Sequence, residues 1–226
     1  VGRTLSGQRR VYSADTLVLA TGGTDRPRRL GVPGEDLPHV RSHLGDPHRY
    51  AGRRVVIVGG RNSAVESALR CYRVGAHVHL VHRRSHIHER VKFWLRPEVQ
   101  SLLDEGVITG HLPGEVAEIT PEAVVLSDGR RLEADDVVLQ IGYEQDGALF
   151  DMFGVPRDGV RKAPVIDPDT MRAAEDLYVV GTATAGTQDR FEVFIENSHD
   201  HAGRVAAALA GRAAPSPRPA RPIPEV

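Results

Sequence analysis

Residues 54–82 constrain the fold more than any other stretch. "RVVIV" (54–58) is an apolar, β-branched run, and "GGRN" turns the chain. A helix is expected from Ser63 to about Val74, and "AHVHLVH" (76–82) is a second strand. Strand, turn, helix and strand within 29 residues make one β-α-β crossover, which implies a parallel sheet. The turn resembles a nucleotide-binding one with a substitution. Such a turn needs its first Gly for a tight bend, its second for close approach of backbone to a pyrophosphate, and a third small residue for helix packing. Gly59 and Ala64 fill the first and third places, and Arg61 stands at the second. Because the turn opens a helix, the amides around Gly60, Asn62 and Ser63 would face an anion. Ser63 and Glu66 are spaced as a capping box.

The end of the second strand bears on the kind of nucleotide. An NAD site presents Asp or Glu there to accept the ribose 2′-hydroxyl, whereas this chain presents His82, Arg83 and Arg84. Guanidinium groups suit a 2′-phosphate, and Arg90 could supply a third contact. The alternative is a solvated basic strand end. His77 and His79 could share a strand face, but no carboxylate or thiolate stands at ligand spacing, so no metal site is expected.

Charge excludes some partners. Twenty-nine Lys and Arg against 30 Asp and Glu leave a net charge of -1, so no global basic field draws in nucleic acid or an anionic membrane. No apolar run approaches the roughly 20 residues that span a bilayer. Cys71 is the only cysteine, which precludes an intrachain disulfide and makes a cytoplasmic setting the default. Its place in "ALRCYRV" suits a small buried filler.

Elsewhere, "DTLVLATGG" (15–23) reads as a buried strand ending in a tight turn, and "LYVVGTATAG" (177–186) repeats that pattern. "RPEVQSLLDEG" (96–106) suits a helix with Pro97 in its first turn and Gly106 at its C-terminal end. "VITGHL", "EVAEIT", "AVVLSDGRRLEAD" and "DVVLQIGY" follow as a meander with a turn at Asp128-Gly129. Residues 197–211 suit a helix, and the Pro-rich end, 213–226, is expected to be disordered.

Taken together, "LVLATGGTDRPRRLGVPGEDLPHV", "VVIVGGRNSAVESAL", "VHRR", "RVKFWLRPE", "LQIGYEQD", "LYVVGTATAG" and "FIENSHDHAG" resemble the flavin-dependent, thioredoxin reductase-like superfamily. Within it they most resemble the bacillithiol disulfide reductase family, over about residues 10–210. The resemblance implies an α/β fold with two dinucleotide-binding domains, binding NADPH and FAD. An NADPH domain at 40–143 would be inserted between FAD-domain pieces at 1–39 and 144–212. In that family the position of Arg61 is often not glycine, so its charge would belong beside the pyrophosphate. Thr21 and Gly22 would match one flavin-side turn and Gly181 the end of the second flavin-side strand. Ile195 and Glu196 would lie near the flavin ring, and Gly142 would complete the nucleotide contacts.

The expected reaction is NADPH-dependent reduction of a low-molecular-weight thiol disulfide, and a homo-oligomer is compatible with it. Three departures stand out. No Cys-x-x-Cys pair precedes the fingerprint, which excludes thioredoxin reduction by the usual route. Gly181-Thr182 replaces the Gly-Asp that holds flavin ribityl in the wider superfamily, an Asp that the bacillithiol branch also lacks. The family's N-terminal FAD fingerprint and its reactive cysteine would lie upstream of Val1. The sequence is therefore read as a C-terminal fragment, expected to purify colourless, to turn over no disulfide and to hold no catalytic residue of its own. A related flavoprotein of the monooxygenase or ferredoxin reductase type and a non-catalytic NADPH-binding module remain alternatives.

Overall fold

The computed structural model describes residues 2–4, 6–188 and 192–215. The tail expected to be disordered lies, from residue 216 onward, outside the described residues. The chain is mixed α/β and divides into two compact units. One is Pro27–Gly142, and the other takes the residues before and after it.

In Pro27–Gly142 the crossover forms as the sequence implies. Strand β1 (Val40–Arg41) is followed by β2 (Arg54–Val58), helix α1 (Asn62–Arg73) and β3 (His77–Val81). Then come helix α2 (Arg96–Asp104), β4 (Thr109–His111), β5 (Val116–Ile119), β6 (Ala123–Leu126), β7 (Arg131–Glu133) and β8 (Asp136–Leu139). A parallel sheet runs in the order β1-β8-β2-β3-β4. A separate antiparallel sheet, β7-β6-β5, packs over it.

The expected four-part meander is therefore corrected, because its first and last segments belong to the parallel sheet. "DVVL" supplies the reason, since all four residues of β8 are buried. A strand covered on both faces sits inside a parallel sheet rather than in a half-solvated meander.

Two cores hold this unit. Val55 and Ile57 of β2 face Val65, Ala68 and Leu69 of α1, while Val56 and Val58 face Val124, Leu126 and Leu132 of the antiparallel sheet. Each fully buried Val or Ile contributes on the order of 1.5–3 kcal/mol. At the opposite end of the sheet from the glycine turn, Arg53 pairs with the buried Asp136 at 2.7 Å and Arg54 with Asp135 at 2.6 Å. These pairs fix the register of β2 against β8. Helix α2 carries Pro in its first turn, and Gly106 follows its C-cap with a φ of 70°, as expected.

In the other unit the strand Leu17–Leu19 runs parallel to Leu177–Val179, which pairs antiparallel with Arg172–Ala174. Leu19, Leu177 and Val179 are buried around Phe150. The sequence suggested a buried strand within 15–23, yet Leu17 and Val18 are 37% and 44% exposed. Successive strand residues point to opposite faces, so the start of that strand is partly open on both faces and only Leu19, at its end, is buried. The last helix also begins later than expected, at Asp200–Leu209. A short 3-10 turn, Ile195–Asn197, precedes it, because the Asn197 side chain takes the Phe194 amide on Oδ1 and donates to Glu192 O. Such side-chain bonds compete with helical ones.

Candidate functional site

The turn after β2 lies at the carboxyl ends of the parallel strands, where the chain leaves β2 for β3 on one side and β8 pairs with β2 on the other. In open α/β sheets such a divergence leaves a crevice for ligands. Gly59 takes a φ of 145°, and a Cβ there would stand 2.3 Å from Gln140 O and 2.8 Å from Ala64 Cβ. Only glycine fits. Ala64 is completely buried, so the first and third places of the fingerprint touch each other as the sequence implies.

Arg61 is the N-cap of α1, with an extended backbone (φ −110°, ψ −174°) and an exposed side chain. Its φ makes no demand that only glycine meets, which is why arginine is tolerated there. The expected capping box does not form. Ser63 lies inside the first turn, no side chain caps the helix, and that turn carries no acidic residue. The Asn62 side chain is turned away from capping because Oδ1 accepts the Lys92 amide at 2.8 Å. The first helical bond runs from Val65 N–H to Arg61 O, so the amides of Asn62, Ser63 and Ala64 have no acceptor among the described residues. Three open N–H groups at the positive end of a helix have the donor arrangement and the field that suit an anion.

The basic segment after β3 folds back over this turn. The His88 amide donates to Gly60 O at 3.0 Å, and the His82 ring packs against Gly60 so closely that a Cβ there would lie 2.4 Å from its Cγ and Cδ2. Burial, reinforced by Arg84 and Arg83 and by His88 and His86, pushes the His82 imidazolium down to about 4, so the ring is a neutral wedge at pH 7. His88 is likewise lowered, chiefly by burial and then by Arg61, Arg84 and Arg90. Arg83, Arg84 and Arg90 are exposed, and their guanidinium groups pair with no carboxylate among the described residues. The structure thus brings together Gly59, Gly60, Arg61, Asn62, Ser63, Ala64 and His82, with the three arginines on the segment folded over them. Gly142, with a φ of 104°, lies two residues beyond Gln140, and its carbonyl accepts the Arg28 amide.

His77 and His79 do not act together. His79 Nδ1 lies 3.0 Å from His111 Nε2, and His111 Nδ1 lies 3.2 Å from Arg130 Nη1. Arginine can only donate, so His111 carries its proton on Nε2 and donates to His79. No group of three or more metal-ligating side chains occurs among the described residues. Cys71 is buried in α1, and desolvation pushes its thiol up to about 12.

In the other unit, Gly22 (φ 82°) and Gly181 (φ 70°) end the two parallel strands. Gln145 joins their turns, its buried Nε2 donating to Gly22 O at 3.1 Å and Ala183 O at 2.7 Å. Its Oε1 has no partner among the described residues. Thr21, half-buried, leads into the Gly22 turn, whereas Ile195 and Glu196 are exposed and make no side-chain hydrogen bond among the described residues. Sequence reasoning assigned no role to Gln145 or to His201, whose Nδ1 takes the Gly181 amide at 3.1 Å. Both contacts join residues at least 20 apart, and only the presence of Gln145 in "YEQD" hinted at either.

No helix among the described residues is long and apolar enough to cross a membrane. The chain is similar to bacilliredoxin reductase Bdr of Bacillus subtilis (strain 168), at 34% identity over 206 residues, 89% of this chain and 63% of that protein. Its fold superposes on the solved bacillithiol disulfide reductase Bdr from Bacillus cereus with a TM-score of 0.85 at 33% identity, covering 92% of this chain and 65% of that one. The corresponding enzyme from Staphylococcus aureus gives a TM-score of 0.80 at 30% identity, with 87% and 62% covered. The chain therefore spans a little under two thirds of the length of each. These likenesses bear out the resemblance seen in the sequence, and these relatives are flavin- and pyridine nucleotide-dependent oxidoreductases of the thioredoxin reductase-like kind. With a glycine turn, crossover and parallel sheet of the right geometry, and with the family model matching residues 2–181, the chain belongs to the pyridine nucleotide-disulphide oxidoreductase family.

Proposed function

We propose that this chain serves an NADPH- and FAD-dependent reductase of a low-molecular-weight disulfide of the bacillithiol disulfide type. In this reading Pro27–Gly142 is the NADPH domain, and the residues flanking it contribute to an FAD domain. The observation that carries the reading is the helix start, whose three amides have no acceptor among the described residues, beneath a segment bearing Arg83, Arg84 and Arg90, which pair with no carboxylate among them. Gly59 and Gly60 would let the pyrophosphate approach the backbone, and the amides of Asn62, Ser63 and Ala64 would hold it. Arg61 would add charge beside it. Arg83 and Arg84, with Arg90, would grip the 2′-phosphate, while His82 would shape the wall and Gly142 close the crevice. Thr21, Gly22 and Gly181, with Ile195 and Glu196 beyond them, would face FAD. The open space around Gly181, where an added Cβ would meet nothing within 4 Å, fits a bulky group. When bound, the two cofactors supply hydride transfer and a two-electron relay. Cys71 takes no part, because a buried thiol this weakly acidic yields almost no thiolate.

Calorimetric titration of the chain should show NADPH binding more tightly than NADH, and equal affinities would overturn the cofactor assignment. In the protein that carries this chain, NADPH oxidation should depend on FAD and on a small thiol disulfide. Oxidation indifferent to any such disulfide would overturn the substrate class. Replacing Arg61 by glycine should weaken both nucleotides, and more so at low salt, because exposed charge is screened at high salt. Tighter binding in the glycine variant would show that Arg61 obstructs the turn instead.

A further inference from the structure

The Gly181 turn is held on one side by Gln145, through Ala183 O, and on another by His201 from the first turn of the helix Asp200–Leu209. A backbone N–H can only donate, so His201 Nδ1 must be an unprotonated acceptor. The ring is then the neutral tautomer with its proton on Nε2, because an imidazolium would point Nδ1–H at the amide N–H. Asp200 Oδ1 lies 4.0 Å from Nε2, and Oδ2 of the same carboxylate accepts from Arg204 at 3.1 Å. Burial, with Arg204 and His199 and against Asp200, lowers the charged form of His201. Gly181 has a φ of 70° and open space where a side chain would be. A glycine so placed has several backbone conformations within reach unless its peptide is tied down. Gly23 packs on the same turn, since a Cβ there would lie 3.2 Å from Thr182 O.

We propose that His201 is a flavin-positioning residue. By accepting the Gly181 amide it holds the Val180–Gly181 peptide in one orientation and presents the turn Gly181–Thr182 to FAD in a single shape. The inference rests on the reading that this unit takes FAD. It assigns to a neutral imidazole, through the backbone, an ordering role at a strand end where Thr182 offers no carboxylate.

The test uses the protein that carries this chain. Long-range proton-nitrogen NMR of the imidazoles should show His201 as the Nε2–H tautomer at neutral pH. An Nδ1–H tautomer or an imidazolium overturns the proposal whether or not any variant folds. His201→Ala should weaken FAD about tenfold, as expected for a lost hydrogen bond of roughly 1.4 kcal/mol, and speed exchange of the Gly181 amide. His201→Asn, whose Oδ1 can accept the same amide, should restore both, and NADPH affinity should stay constant in each variant. A wild-type protein that takes no FAD defeats the flavin reading itself. A wild type that takes FAD, with an Ala variant that binds it equally well, defeats only the role of His201.

Discussion

Gly59→Ala is expected to lose NADPH binding and to lower stability by about 2–4 kcal/mol, through overpacking combined with a strained backbone. The added methyl would stand 2.3 Å from Gln140 O, a backbone atom just past the end of β8, and 2.8 Å from Ala64 Cβ. Neither neighbour can swing away as the end of a long side chain would. Relief requires parting β2 from β8 or lifting α1 from the sheet, and either movement disperses the three open amides. Gly75→Ala is the internal control, because Gly75 also has a positive φ, 82°, but nothing within 4 Å of an added Cβ. It should cost about 1 kcal/mol and leave affinity unchanged. Thermal unfolding and calorimetry of the two variants decide the matter. A Gly59 variant no worse than the Gly75 one would show that the turn is not a tight cradle.

Arg83→Ala should weaken NADPH by roughly 10- to 100-fold and leave NADH nearly unchanged, since losing a charge-assisted pair costs about 1.5–3 kcal/mol. The guanidinium is exposed and has no carboxylate partner among the described residues, so its removal breaks nothing within the fold. That separates a loss of recognition from a loss of structure. Raising the salt concentration should narrow the gap between wild type and variant. Equal losses for both nucleotides would place Arg83 away from the 2′-phosphate.

The parts of this molecule legible in the sequence are those that local pattern dictates. The apolar run at 54–58, the pair Gly59 and Ala64, and the helical stripe through Val65, Ala68 and Leu69 lie within one crossover, and local spacing suffices to place them. What sequence missed depends on distant partners. Thr109–His111 resembles a short meander strand, and only pairing with His77–Val81 reveals it as a parallel edge. Ser63 and Glu66 have the spacing of a cap, but helix α1 starts one residue earlier and leaves its amides open. Gln145 and His201 act on Gly22 and Gly181 across 123 and 20 residues, a separation at which residue type alone says nothing.

The packing of His82 on Gly60 couples two positions that look independent along the chain. The imidazole fills the volume that any side chain at 60 would need, with ring atoms 2.4 Å from where its first carbon would be. Position 60 is thus free to drift only after position 82 has. A larger residue at 60 becomes acceptable once 82 has shrunk, whereas the opposite order of events passes through a clash. Among descendants of this chain, a histidine kept at 82 would mark the memory of a steric bargain with a glycine, even where no proton is ever exchanged.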